Sequence, residues 1–135
     1  MNLILLGTDF GEDAVKAQAK AAHIAKATGA KLHFLHVLEP VDDPDSQDPE
    51  TQEFYRKLEE SSKKKLDEAT ASLPDVETES SIAIGHRHPT ILACAARLNA
   101  DLIVLGSRPI EAESQRFGTS HRVAVTSHIP VLLVP

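Results

Sequence analysis

In LIVLGSRPIEAESQRFGTSH, residues 102–121, two glycine turns flank a polar loop. The first, Gly106-Ser107-Arg108, ends an apolar run, and the second, Gly118-Thr119-Ser120, opens a segment of helical composition. A helix start exposes amide hydrogens that no helix carbonyl accepts and carries partial positive charge, which suits a phosphate. Glycine lets a ligand approach the backbone, Thr119 and Ser120 add hydroxyl donors, and Arg108, Arg116 and Arg122 offer charge. Glu111 and Glu113 sit in the same loop and would repel a polyphosphate if they faced inward. The plainer reading, which the spacing favours, is that Thr119 or Ser120 simply caps the helix.

Asp9, just after the first apolar run, has two readings as well. It is an acceptor for ribose hydroxyls or an adenine amino group, or it is a turn residue ahead of a helix. His86 and His88 stand two apart in GHRHP, with His121 and His128 elsewhere. Imidazoles bind metals, yet no carboxylate or cysteine completes a set. No metal site is therefore expected, and the seven histidines read mostly as surface or strand-end residues. Cys94, inside TILACAARL, reads as a small buried helix residue. Lys63 to Lys65 read as a solvated helix face.

The elements that must position these residues follow from periodicity. NLILLGT (2–8), KLHFLHV (31–37), DLIVLG (101–106) and PVLLV (130–134) are nearly continuous apolar runs, and VETESSIAI (76–84) alternates more. Runs apolar on both faces fit strands buried in a parallel sheet. Helical stretches separate them: 12–28, ending at Gly29; 50–73, with Phe54, Leu58, Leu66 and Leu73 as a sparse stripe; 87–98, ending at Asn99; and a short one at 119–127. Strands alternating with helices imply βαβ units and an open α/β sheet with helices on both faces. Such a sheet binds ligands outside the carboxyl ends of its strands, where Thr8-Asp9 and Gly106-Ser107-Arg108 would converge. LILLGTD (3–9) and LIVLGSR (102–108) echo each other, as two strands feeding similar turns at one edge would. EPVDDPDSQDPE (39–50) reads as an exposed, mobile connection.

Composition bounds the function. A chain of 135 residues suits one domain spanning 1–135. A single cysteine excludes an internal disulfide and any C-x-x-C motif. A net charge of −6 argues against nucleic acid as a partner. The start, MNLILLGTDF, has no Lys or Arg and too short an apolar run for a signal peptide or a membrane span, so a soluble, cytoplasmic protein with no membrane partner is expected. A Walker loop and a G-x-S-x-G elbow are both absent. A receiver's Asp after the third strand is missing, since that strand ends IAIGH, and a flavodoxin's phosphate loop is missing after the first strand, where TDFGED stands.

Together, TDF (8–10), HVLEP (36–40), GHRHPTILACAARLNADLIVLGSR (85–108), GTS (118–120) and PVLLVP (130–135) resemble the universal stress protein (UspA-like) family over essentially the whole chain. The resemblance implies a single open five-stranded parallel sheet in order 3-2-1-4-5, of the adenine nucleotide alpha hydrolase-like kind. It also implies a homodimer through strand 130–134. It implies a stress-response protein that binds an adenine nucleotide, ATP or AMP, with no metal beyond a nucleotide-associated Mg. Asp9 and Val37 match the family's adenosine contacts, beside Thr8. Nucleotide-binding members read G-x-x-G, nine residues, then G-[S/T] after the fourth strand. Gly106 matches the first glycine, and Gly118-Thr119 match the last pair, with Ser107, Arg108 and Ser120 alongside. Two departures stand out: Pro109 replaces the second glycine, and only eight residues, 110 to 117, precede Gly118. Proline has no amide hydrogen for a phosphate, so the phosphate half is degenerate while the adenosine half is intact. With no Lys or metal-binding carboxylate over that loop, slow ATP hydrolysis at most is expected. A nucleotide-independent dimeric adaptor of the same fold is the alternative.

Overall fold

Consecutive apolar residues in LILLG form β1 (Leu3–Gly7) and are buried on both sides of a sheet. In this computed structural model, which describes residues 1–108 and 118–135, Ile4 and Leu6 face one hydrophobic cluster while Leu5 faces another. That division is why the strand reads as a run rather than an alternation. The remaining elements are α1 (Glu12–Thr28), β2 (Lys31–Leu38), α2 (Pro49–Ala71), β3 (Thr78–Ile84), α3 (Arg87–Arg97), β4 (Leu102–Gly106), α4 (Thr119–Thr126) and β5 (Val131–Val134). The five strands pair in parallel in the order β3-β2-β1-β4-β5, as the resemblance implies. The echoing strands β1 and β4 are neighbours, with Leu6 opposite Val104, so their glycine turns emerge at one edge.

One face of the sheet packs on α1 and α2, the other on α3 and α4. The buried side of α1 is all alanine (Ala14, Ala17, Ala21, Ala22, Ala25), which brings the helix close to Ile4, Leu6 and Phe34. Gly29 ends α1 in the left-handed conformation (φ 75°), and Asn99 does the same after α3 (φ 53°).

The stripe of α2 differs from the sequence expectation. Tyr55, Ser62 and Leu66 are buried, whereas Phe54 is exposed. The Tyr55 hydroxyl donates to the Asp42 carbonyl and accepts from the amides of Val41 and Asp42, both at 3.2 Å. A polar tip that satisfies loop backbone is why tyrosine, and not phenylalanine, turns inward. The 39–50 connection is thereby tied to α2 rather than left loose.

Not all histidines lie at strand ends. His33, inside β2, is buried; its Nδ1 meets Glu79 Oε1 and its Nε2 meets Ser81 Oγ, both at 2.7 Å. This chain straps β3, an edge strand, onto β2. Cys94 is buried, as read from the sequence. No helix among the described residues is long and apolar enough to cross a membrane.

Candidate functional site

The turn after β1 is built from its own side chains. The Thr8 hydroxyl accepts the Phe10 amide (3.0 Å), and Asp9 Oδ1 accepts the Gly11 amide (2.8 Å). His36 Nδ1 lies 2.7 Å from the Thr8 carbonyl. A carbonyl only accepts, so the hydrogen resides on that nitrogen. The His36 ring also packs at 4.7 Å against Phe10, which sits at φ 66°, and Lys65 Nζ lies 5.5 Å over the Phe10 ring. A left-handed phenylalanine costs energy, and these contacts hold it there. The turn reading of Asp9 is thus observed, and its exposed position leaves the residue on the rim of a cleft.

That cleft, about 230 Å³, opens at the carboxyl edge of the sheet. It brings together Thr8, Asp9, Val37, Gly106, Thr119 and Ser120, which the sequence nominated from four separate segments. Gly7, Ala14, Leu35, Arg87, Ile91 and Leu105 complete its lining. Leu35 was legible as the residue two before Val37 on the same strand face. Arg87 was hidden between two histidines in GHRHP, which draw attention to metals. Among the described residues no group of three or more His, Cys, Asp or Glu is placed to hold a metal ion.

Three nominated residues, next to lining ones in the chain, are not themselves part of the lining. Ser107 donates its amide to the Val134 carbonyl at 2.9 Å, continuing the β4–β5 ladder. Arg108 is 90% exposed and its Nε lies 3.0 Å from Asp13 Oδ2, so its charge is met by a carboxylate at the start of α1. Gly118 is the N-cap of α4, with no side-chain cap bond. The capping role offered to Thr119 or Ser120 is therefore not what the structure shows; both begin the helix and face the cleft. Pro109, Glu111, Glu113 and Arg116 lie outside the described residues.

The two key glycines do different work. A Cβ on Gly106 would come 2.5 Å from the Asp13 carbonyl oxygen, so glycine there is demanded by the crossing of β4 over α1. Gly118 has φ −74°, open to any residue, and no atom of the described residues lies within 4 Å of a Cβ built on it. Packing among the described residues does not require glycine at 118, and they leave room against its backbone.

The comparisons with known proteins agree with this architecture. The universal stress protein family model matches residues 1–135. A Thermus aquaticus universal stress protein, encoded beside a QAH/OAS sulfhydrylase, is 34% identical over 134 residues, covering 97% of this chain and 96% of that protein. A universal stress protein solved in complex with cAMP superposes with a TM-score of 0.75 at 22% identity, covering 99% of this chain and 97% of the other. The Archaeoglobus fulgidus universal stress protein in complex with dAMP gives a TM-score of 0.70 at 20% identity, covering 100% and 98%. Those two likenesses concern the fold, which is the adenine nucleotide alpha hydrolase-like one. With the family model spanning the chain and a curated relative matching it nearly end to end, this chain belongs to the universal stress protein family.

Proposed function

We propose that the chain is an adenine-nucleotide-binding stress-response module whose ligand occupies the cleft at the carboxyl edge of the sheet. One observation carries the reading: residues nominated from β1, β2, β4 and α4 for nucleotide contact line a single cleft. Leu35, Val37 and Ile91 offer an apolar wall for a base, Thr8 and Asp9 polar groups for the ribose, and the start of α4 with its two hydroxyls a seat for phosphate. Two proteins of this fold hold cAMP and dAMP, each with one phosphate, which supports a nucleotide in the corresponding place.

The phosphate count follows from the loop. Pro109 offers no amide, and Arg108 is engaged with Asp13. AMP is therefore the preferred ligand, ATP gains little from its extra phosphates, and any Mg arrives with the nucleotide. Ser107, Arg108 and Gly118 border the phosphate end. The protein acts in the cytoplasm as a homodimer joined through strand 130–134, binding rather than hydrolysing.

Calorimetric titration with AMP, ADP and ATP tests the reading. AMP is expected to bind with nearly the affinity of ATP. Asp9→Ala is expected to weaken AMP by about 1–3 kcal/mol, the cost of losing a hydrogen bond to a charged group. Absence of heat with all three at millimolar ligand overturns the proposal in favour of the nucleotide-independent adaptor.

A further inference from the structure

Arg87 is the one arginine that lines the cleft among the described residues, and nothing in the sequence reading gave it a role. It is the first residue of α3, after His86 as N-cap, and the first turn of α3 contains no acidic residue. It shares the lining with Leu35, Val37 and Ile91, the apolar wall, and with the hydroxyls of α4. Its backbone amide lies 3.5 Å from Oε1 of Glu39, two residues beyond Val37, which puts it beside the end of β2. Its Nε lies 3.9 Å from Glu39 Oε1, and both side chains are 48% exposed. A loose ion pair of this kind balances the charge without immobilising the side chain.

We propose that Arg87 lays its guanidinium plane over the base of the bound nucleotide, closing the apolar wall into a sandwich and selecting a flat ring; this role rests on the nucleotide reading above. Guanidinium planes stack on bases as aromatic rings do, and a planar cation is attracted to a π face. Its contacts with Glu39 put it beside the end of β2, the strand that supplies Leu35 and Val37, and this assigns it to ring contact.

The same titrations, run on the full chain, separate the outcomes. Arg87→Ala is expected to weaken AMP, ADP and ATP by one common factor, roughly 3- to 10-fold, as fits a lost stacked cation. Arg87→Lys keeps the charge but not the plane and is expected to lose nearly as much. Because the position is half-exposed, both variants should melt like the parent. A loss that grows from AMP to ATP overturns stacking in favour of a phosphate grip. Unchanged affinity in both variants, with a wild type that binds, removes Arg87 from the site and leaves the functional reading standing. A wild type that binds none of the three ends the functional reading, and this role with it.

Discussion

Gly106 and Gly118 look alike in the sequence, yet their surroundings predict opposite responses to the same substitution. At Gly106 the new methyl would meet the Asp13 carbonyl carbon at 2.6 Å and its oxygen at 2.5 Å, and backbone cannot swing aside as a side chain can. Gly106→Ala is expected to cost about 1–3 kcal/mol and to lower the melting temperature. At Gly118 the methyl meets no atom of the described residues and φ is permissive, so the melting curve should stay within about 0.5 kcal/mol of the parent. The same Gly118→Ala protein should nevertheless bind AMP more weakly in calorimetry, because its methyl takes the room the phosphate needs. Equal affinity would show that the ligand keeps clear of this turn. Arg108 teaches a related lesson. Its charge suggested phosphate, but a carboxylate from α1, remote in sequence, meets it first.

At the scale of elements, β3 is held differently from the strands inside the sheet. Among the described residues it has one strand neighbour, β2, and it carries Glu79, opposite the buried His33, and Ser81, opposite Leu35, both in contact with the His33 ring. The hydrogen bond from His33 holds the Glu79 carboxyl below its ordinary 4.5, with the charges of His33 and Lys31 acting in the same direction. A depressed carboxyl stabilises the fold above its unfolded value, and that contribution disappears as pH falls through the folded value. Glu79→Gln is therefore expected to lower denaturation midpoints at neutral pH and to make no difference below the carboxylate range, a contrast that urea titrations at the two conditions would read. A deficit that persists unchanged in acid would assign the effect to packing. The α2 stripe belongs to this scale too: helical spacing located the helix, but which of Phe54 and Tyr55 turned inward depended on loop carbonyls and amides that needed a partner.

For the whole molecule the consequential feature is the second edge. Among the described residues β5 has β4 on one side and no strand on the other, and all four of its residues are apolar and partly exposed. An apolar edge with no lysine or bulge invites a further strand, and a second copy would supply one antiparallel about a two-fold axis. Pro130 and Pro135 bound the strand, which limits pairing to the residues between and prevents growth into a fibre. Light scattering across a dilution series is expected to give a dimer mass, and deletion of residues 131–135 a monomer. A monomer at every concentration would falsify this, and a dimer surviving the deletion would move the interface elsewhere.

The sequence alone determined which segments form the sheet and helices, because strands buried on both faces must be apolar throughout and helices between them must repeat with the turn. It also determined the edge at which a site belongs, since the chain leaves every parallel strand on the same side. Asp9 was legible for that reason, Gly118-Thr119-Ser120 as the start of a helix, and Val37 through the resemblance to the family. What the tertiary structure decided was which polar group meets which. His33 found Glu79 and Ser81, Arg108 found Asp13, and Arg87 arrived in the cleft beside Glu39, through contacts between residues far apart in the chain. Periodicity records the side of an element that is buried. It holds no information about the partner that a charge or a hydroxyl meets across the fold, because that choice is made by packing.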